Sequence, residues 1–117
     1  MRVLGSIILL ISFATTVVAS SNATLTKLTS PVAKCLDGSQ AGFYFHPGSG
    51  NDTNKWLFML EGGGLCSHEK DCTERAKSAL GSSTHFPVTF DFDTISITSS
   101  DPSNPFREYN FVYMPYC

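Results

Sequence analysis

Lys55-Trp56-Leu57-Phe58-Met59-Leu60-Glu61-Gly62-Gly63-Gly64-Leu65-Cys66 runs five consecutive apolar residues straight into three glycines. The apolar run lacks the alternation of a half-exposed strand, so it reads as a strand buried on both faces, an interior strand of a parallel sheet. The glycines that follow must form a loop. Glycine carries no Cβ, tolerates positive φ and lets main-chain N–H groups point at a ligand atom, which suits an anion or an oxyanion at the carboxyl end of a strand. A tight turn would use the same residues, and spacing alone does not separate the two.

The phosphate version of an anion loop has little support, because no GxGxxG or GxxxxGK[ST] follows and Lys70 comes after a cysteine loop rather than at a helix start. The oxyanion version has a mechanical precedent. In α/β-hydrolases one donor comes from the loop after the third strand and the other from the residue after the nucleophile.

Outward from this stretch, Gly42 to Phe45 is a short aromatic strand ended by the turn residues His46 to Asp52. On the other side, Asp71 with Glu74 resembles a capping box. Cys72, Ala76 and Leu80 share one face before Gly81, so a short helix is expected from Cys72 to Leu80 with Gly81 as its C-cap. Val88, Phe90 and Phe92 alternate with polar residues and Ile95 and Ile97 resume on the opposite parity, so residues 86–100 fit either two short strands or an irregular excursion. Phe111 to Tyr116 is a second apolar run with Pro115 near its end.

The chain has 117 residues, 8 Lys+Arg against 10 Asp+Glu, and a formal net charge of −2, which excludes a basic nucleic-acid binder. Hydrophobic residues make up 42% and charged residues 15%, too apolar for a solvated disordered tail and enough for one domain. Arg2, the apolar run Val3 to Phe13 and the small residues Val17-Val18-Ala19 read as a secretory signal peptide over residues 1–19, too short in its apolar part to serve as a membrane anchor. Cleavage after Ala19 leaves 98 residues with a net charge of −3. Secretion, to the extracellular space or cell wall, is the expected localisation.

All four cysteines lie beyond residue 19, and an even count in an oxidising compartment argues for two disulfides. Cys66 and Cys72 are close and flank a polar loop, which favours that pair and leaves Cys35 with Cys117. The rival, a zinc site using His68 between the near cysteines, lacks CxxC spacing and a fourth ligand, so no metal is expected. Asn22-Ala23-Thr24 and Asn51-Asp52-Thr53 are glycosylation sequons consistent with export.

At this point the residues form a recognisable series. Cys35-Leu36-Asp37-Gly38-Ser39, Gly42-Phe43-Tyr44-Phe45, Trp56 to Cys66, Cys72-x-x-Arg75, Leu80-Gly81-Ser82-Ser83, Asn104-Pro105 and Tyr109 to Cys117 resemble, in order, the amino-terminal third of the pectin acetylesterase and Notum family. The resemblance implies an α/β fold, the amino-terminal part of an α/β-hydrolase with parallel strands, incomplete as given, spanning residues 20–117. It implies a secreted, disulfide-bonded carboxylesterase that removes acetyl or other acyl groups from a pectin-like polysaccharide or an acylated protein through an acyl-serine, with no cofactor. Gly63 and Gly64 would be the oxyanion-hole positions. Leu65 stands where the pectin branch carries tryptophan.

The family's Ser-Asp-His triad is missing. No serine lies in a Gly-x-Ser-x-Gly elbow: Ser83 has Gly81 before it but His85 where the second glycine belongs. The chain alone is therefore expected to be inactive. His46, His68 and His85 read as solvent-exposed loop histidines, and Asp91 and Asp93 as a solvated strand face rather than a glycosidase pair. Glu61 is expected to brace the glycine loop by accepting its N–H groups. The alternative from another class is a small secreted binding module stapled by its two disulfides.

Overall fold

The computed structural model describes residues 22–117, so the expected signal peptide, residues 1–19, lies outside the described residues. Among the described residues five strands form one sheet: β1 (Asn22–Lys27), β2 (Gly42–His46), β3 (Trp56–Leu60), β4 (Thr89–Asp91) and β5 (Asn110–Met114), in the order β3-β5-β2-β1-β4. One helix, α1 (Glu69–Arg75), packs beside the loop that follows β3.

The sheet is mixed: the expected parallel pairing holds for β3 and β5, and the other pairs are antiparallel. Only β3 and β5 run parallel, with Leu57 opposite Phe111 and Met59 opposite Tyr113. β2 pairs antiparallel with β5 and β1, and β1 antiparallel with β4. The apolar run of β3 is not an interior strand among the described residues. It sits at the sheet edge beside β5, with Trp56, Phe58 and Leu60 exposed by 52%, 61% and 74%. A run that is apolar on both faces shows that both faces suit apolar neighbours, but only the Leu57 face meets them here.

That covered face is the core. Pleat alternation sends Ala23, Tyr44 and Phe111 to one side of the sheet, where they join Phe92, with Leu25, Leu57, Phe90 and Tyr113 packed around them. The rings lie within ordinary aromatic contact, Phe90 to Tyr113 at 4.5 Å and Phe90 to Phe92 at 5.3 Å. Buried Asn110 fastens the β2–β3 connection to β5: its amide donates to the carbonyls of Thr53 and Lys55, and its oxygen accepts the Gly48 N–H at 2.9 Å.

The helix departs from its expected bounds at both ends. It begins at Glu69, so Asp71 lies within the first turn and forms no capping box; His68 occupies the N-cap without a side-chain bond. It stops at Arg75, where Lys77 and Ser78 donate to Glu74 and Arg75 in tightening turns. Gly81 is not a left-handed C-cap. It packs against the Arg75 carbonyl at a distance that leaves no room for a Cβ. Residues 86–100 resolve as β4 followed by two short 3₁₀ turns, Phe92–Thr94 and Ser96–Thr98, and these turns account for the switch in hydrophobic parity.

Candidate active-site loop

β3 and β5 end side by side, and the glycine loop leaves from their common carboxyl edge. This is where ligands of open α/β sheets bind. The Glu61 N–H donates to the Met114 carbonyl at 3.0 Å, extending the parallel pairing by one residue. The Glu61 carboxylate then accepts the Tyr116 N–H at 2.9 Å. Glu61 therefore braces the neighbouring strand end, and not the loop's own N–H groups as the sequence reading expected.

Four further contacts brace the loop and the strand end beside it. Cys66 is bonded to Cys72 on α1, and Cys35 to Cys117 at the end of the β5 segment. The Tyr116 ring lies so close to Gly63 that a Cβ there would run into it. Arg75, from the last turn of α1, donates a short hydrogen bond from Nη1 to the Gly63 carbonyl, and its guanidinium sits 5.8 Å from the centre of the Tyr116 ring. Gly64 adopts φ +70°, a left-handed conformation that favours glycine, with open space around it. Among the described residues no hydrogen bond occupies the main-chain N–H of Gly63 or Gly64.

A cavity of about 180 Å³ is lined by Glu61, His85, Phe90, Tyr113 and Pro115 among others. Burial, and then the Glu61 carboxylate, push the Tyr113 hydroxyl up to about 12. Tyr113 is therefore a neutral hydrogen-bonding group at ordinary pH.

The remaining residues singled out from sequence are dispersed. Ser83 is buried, and its hydroxyl donates to the Gln40 carbonyl at 2.7 Å, a structural role. His68 and His85 are exposed, but His46 is not a loop histidine: it ends β2, half-buried between Phe92 and Phe111, where burial lowers its basicity. Asp91 ends β4 and accepts the Asp93 N–H, while Asp93 accepts the Ser100 N–H. The two carboxylates cap turns and do not share a strand face. Asn22 and Asn51 are both exposed, one at the start of β1 and one in the β2–β3 connection. No described helix is long and apolar enough to cross a membrane. The residue that sequence reasoning left without a role is Arg75; its signal was the Cys72-x-x-Arg75 spacing, which puts both side chains on one side of α1.

The described residues thus form a mixed sheet with a glycine loop at the carboxyl edge of its parallel pair, braced by a disulfide to α1. The family model described as Pectinacetylesterase matches residues 15–117, and the chain belongs to that family. Pectin acetylesterase 4 of Arabidopsis thaliana is 48% identical over 87 residues, covering 73% of this chain and 21% of that protein. Human palmitoleoyl-protein carboxylesterase NOTUM is 38% identical over 87 residues, 71% of this chain and 17% of its own length. The crystal structure of the Wnt deacylase Notum from Drosophila matches with a TM-score of 0.64 at 29% identity, over 82% of this chain and 28% of that one. The chain thus spans about a fifth of the length of the curated relatives it matches.

Proposed function

We propose that this chain is the amino-terminal, oxyanion-loop portion of a secreted carboxylic ester hydrolase that removes acetyl or other acyl groups from a polysaccharide or a protein. One observation carries the reading: Gly63 and Gly64 present unoccupied N–H groups from a braced loop at the carboxyl edge of the β3–β5 pair. Donors fixed in advance at the place where an ester carbonyl gains negative charge stabilise the tetrahedral intermediate without reorganising. In the full reaction a serine hydroxyl adds to the acyl carbon, the alcohol leaves with a proton from histidine, and water then releases the acid from the acyl-serine. This sequence contains no nucleophile elbow, so that chemistry belongs to a longer protein, and this chain contributes donors and no triad member. The relatives' names supply the two substrate classes, acetylated pectin and palmitoleoylated protein. Export as a glycoprotein, with glycans on exposed Asn22 and Asn51, fits the same reading.

A hybrid esterase tests it. When residues 22–117 replace the matching stretch of Arabidopsis pectin acetylesterase 4, the secreted, folded hybrid should hydrolyse an acetyl ester. A folded hybrid without turnover would overturn the proposal.

A further inference from the structure

The Gly63–Gly64 peptide is planar and trans, so its carbonyl and its N–H point in opposite directions. Whatever holds the Gly63 carbonyl therefore aims the Gly64 N–H. That holder is Arg75, whose Nη1 donates to the Gly63 oxygen. Glycines on both sides of a peptide impose no conformation of their own, and a flip of this unit would turn a carbonyl toward the place a donor is needed. Three observations show that Arg75 is fixed in this task. Its guanidinium lies over the Tyr116 ring at 5.8 Å; its Nε is buried with no hydrogen-bond partner among the described residues, a placement that burial alone disfavours; and Cys72, one turn earlier, ties the same helix to the far end of the same loop.

We propose that Arg75 is a positioning residue: by holding the Gly63 carbonyl on the α1 side, it keeps the Gly64 N–H turned to the opposite side as an oxyanion donor. This rests on the oxyanion reading above. Arg75 touches no reacting atom.

In the folded hybrid esterase, Arg75→Ala should lower kcat by about 10- to 100-fold while KM moves by less than about twofold, the pattern of an interaction used only in the transition state. Arg75→Lys, which keeps one donor, should recover much of the loss. An Arg75 that served stability alone would lower yield and melting temperature with kcat per folded molecule unchanged, and that result overturns the proposal. Should Arg75→Ala fail to fold, Arg75→Gln against Arg75→Lys makes the same comparison. A second measurement needs no turnover. In the full ¹⁵N-labelled chain, the Gly64 amide signal should shift and broaden in the variant while the Cys66–Cys72 bond stays intact; an unmoved signal overturns the proposal. If the unmodified hybrid folds but is inactive, the oxyanion reading fails, and the Gly64 signal still decides whether Arg75 sets the peptide.

Discussion

Glu61 accepts the main-chain N–H of Tyr116 at 2.9 Å, joining the residue after β3 to a residue two beyond the end of β5. A carboxylate accepting a main-chain N–H is a charge-assisted bond, worth about 1.5–3 kcal/mol when its partner is left unsatisfied. Glu61→Ala should destabilise the chain by about that amount, and Glu61→Gln, which keeps an acceptor, by less. The same substitutions remove the second cause of the raised Tyr113 hydroxyl, so spectroscopic titration should show that tyrosine ionising below its native value of about 12 while burial still keeps it above the ordinary 10. A titration identical to wild type would show that Glu61 does not reach Tyr113.

On the proposed oxyanion reading, the glycine loop has nothing to stabilise without a nucleophile. The chain alone should release no more acid from an acetyl ester than its Ser83→Ala variant, since the Ser83 hydroxyl is bonded to the Gln40 carbonyl and buried. Covalent labelling of any residue by a serine-directed phosphonate would contradict this.

Asp37 links acid pH to fold stability. Its carboxylate accepts from the Ser39 hydroxyl at 2.5 Å and N–H at 2.9 Å, and Ser39 Oγ in turn accepts the N–H of buried Ser83 at 3.0 Å. The Ser39 hydroxyl first, and then that of Ser82, hold Asp37 at about 2 against an ordinary 3.8. The unfolded chain binds the proton more tightly here, so the contribution is complete above the ordinary carboxylate range and is lost as pH falls toward 2. The melting temperature should drop across that window, and Asp37→Asn should flatten part of the drop. An unchanged slope in the variant would assign the acid sensitivity to other carboxylates.

Trp56, Phe58 and Leu60 line the face of β3 away from the core, and Phe45 of β2 stacks on Trp56 at 5.6 Å. Large apolar side chains exposed together on one strand face mark interaction or aggregation sites. Residues 20–117 with both disulfides formed should therefore bind hydrophobic dyes or self-associate, and Phe58→Ser with Leu60→Thr should reduce both. A monomeric product that melts cooperatively and ignores the dye would count for the small binding module instead.

The two disulfides differ in reach. Cys35–Cys117 spans 82 residues and Cys66–Cys72 only 6. In the chain-entropy view the long bridge is worth about 4.5 kcal/mol and the short one about 2. Replacing Cys35 and Cys117 by alanine should lower the denaturant midpoint more than replacing Cys66 and Cys72. The short bridge should instead show its effect in the mobility of the glycine loop.

The strands that bear on the candidate site were legible in the sequence because β3 and β5 are dense apolar runs bounded by Gly and Pro. What the runs could not convey was their order: Phe58 and Leu60 are equally apolar whether an element covers them or not, so an edge position was indistinguishable from an interior one. β1 went unassigned although Ala23 and Leu25 alternate with threonines, a pattern short enough to pass for a polar linker. Asp71 and Glu74 have capping-box spacing, but the helix starts at Glu69, two residues before Asp71, with His68 at its N-cap. At the site, the three glycines suit main-chain donors and a tight turn equally, and spacing does not separate the two. The Arg75 contact depends on the turn after α1 and on where Tyr116 comes to rest, long-range facts that no local window carries.

The bridge between Cys35 and Cys117 closes a ring of backbone that contains β2, β3, β4 and β5, with the Cys66–Cys72 ring nested inside it. A protease that cuts one exposed connection within that ring, such as the 99–103 turn, produces no free fragment: both pieces remain one covalent molecule until a second cut or a reductant intervenes. Nicking would thus be silent on a non-reducing gel and visible only after reduction, with the glycine loop still tethered to the strands beside it.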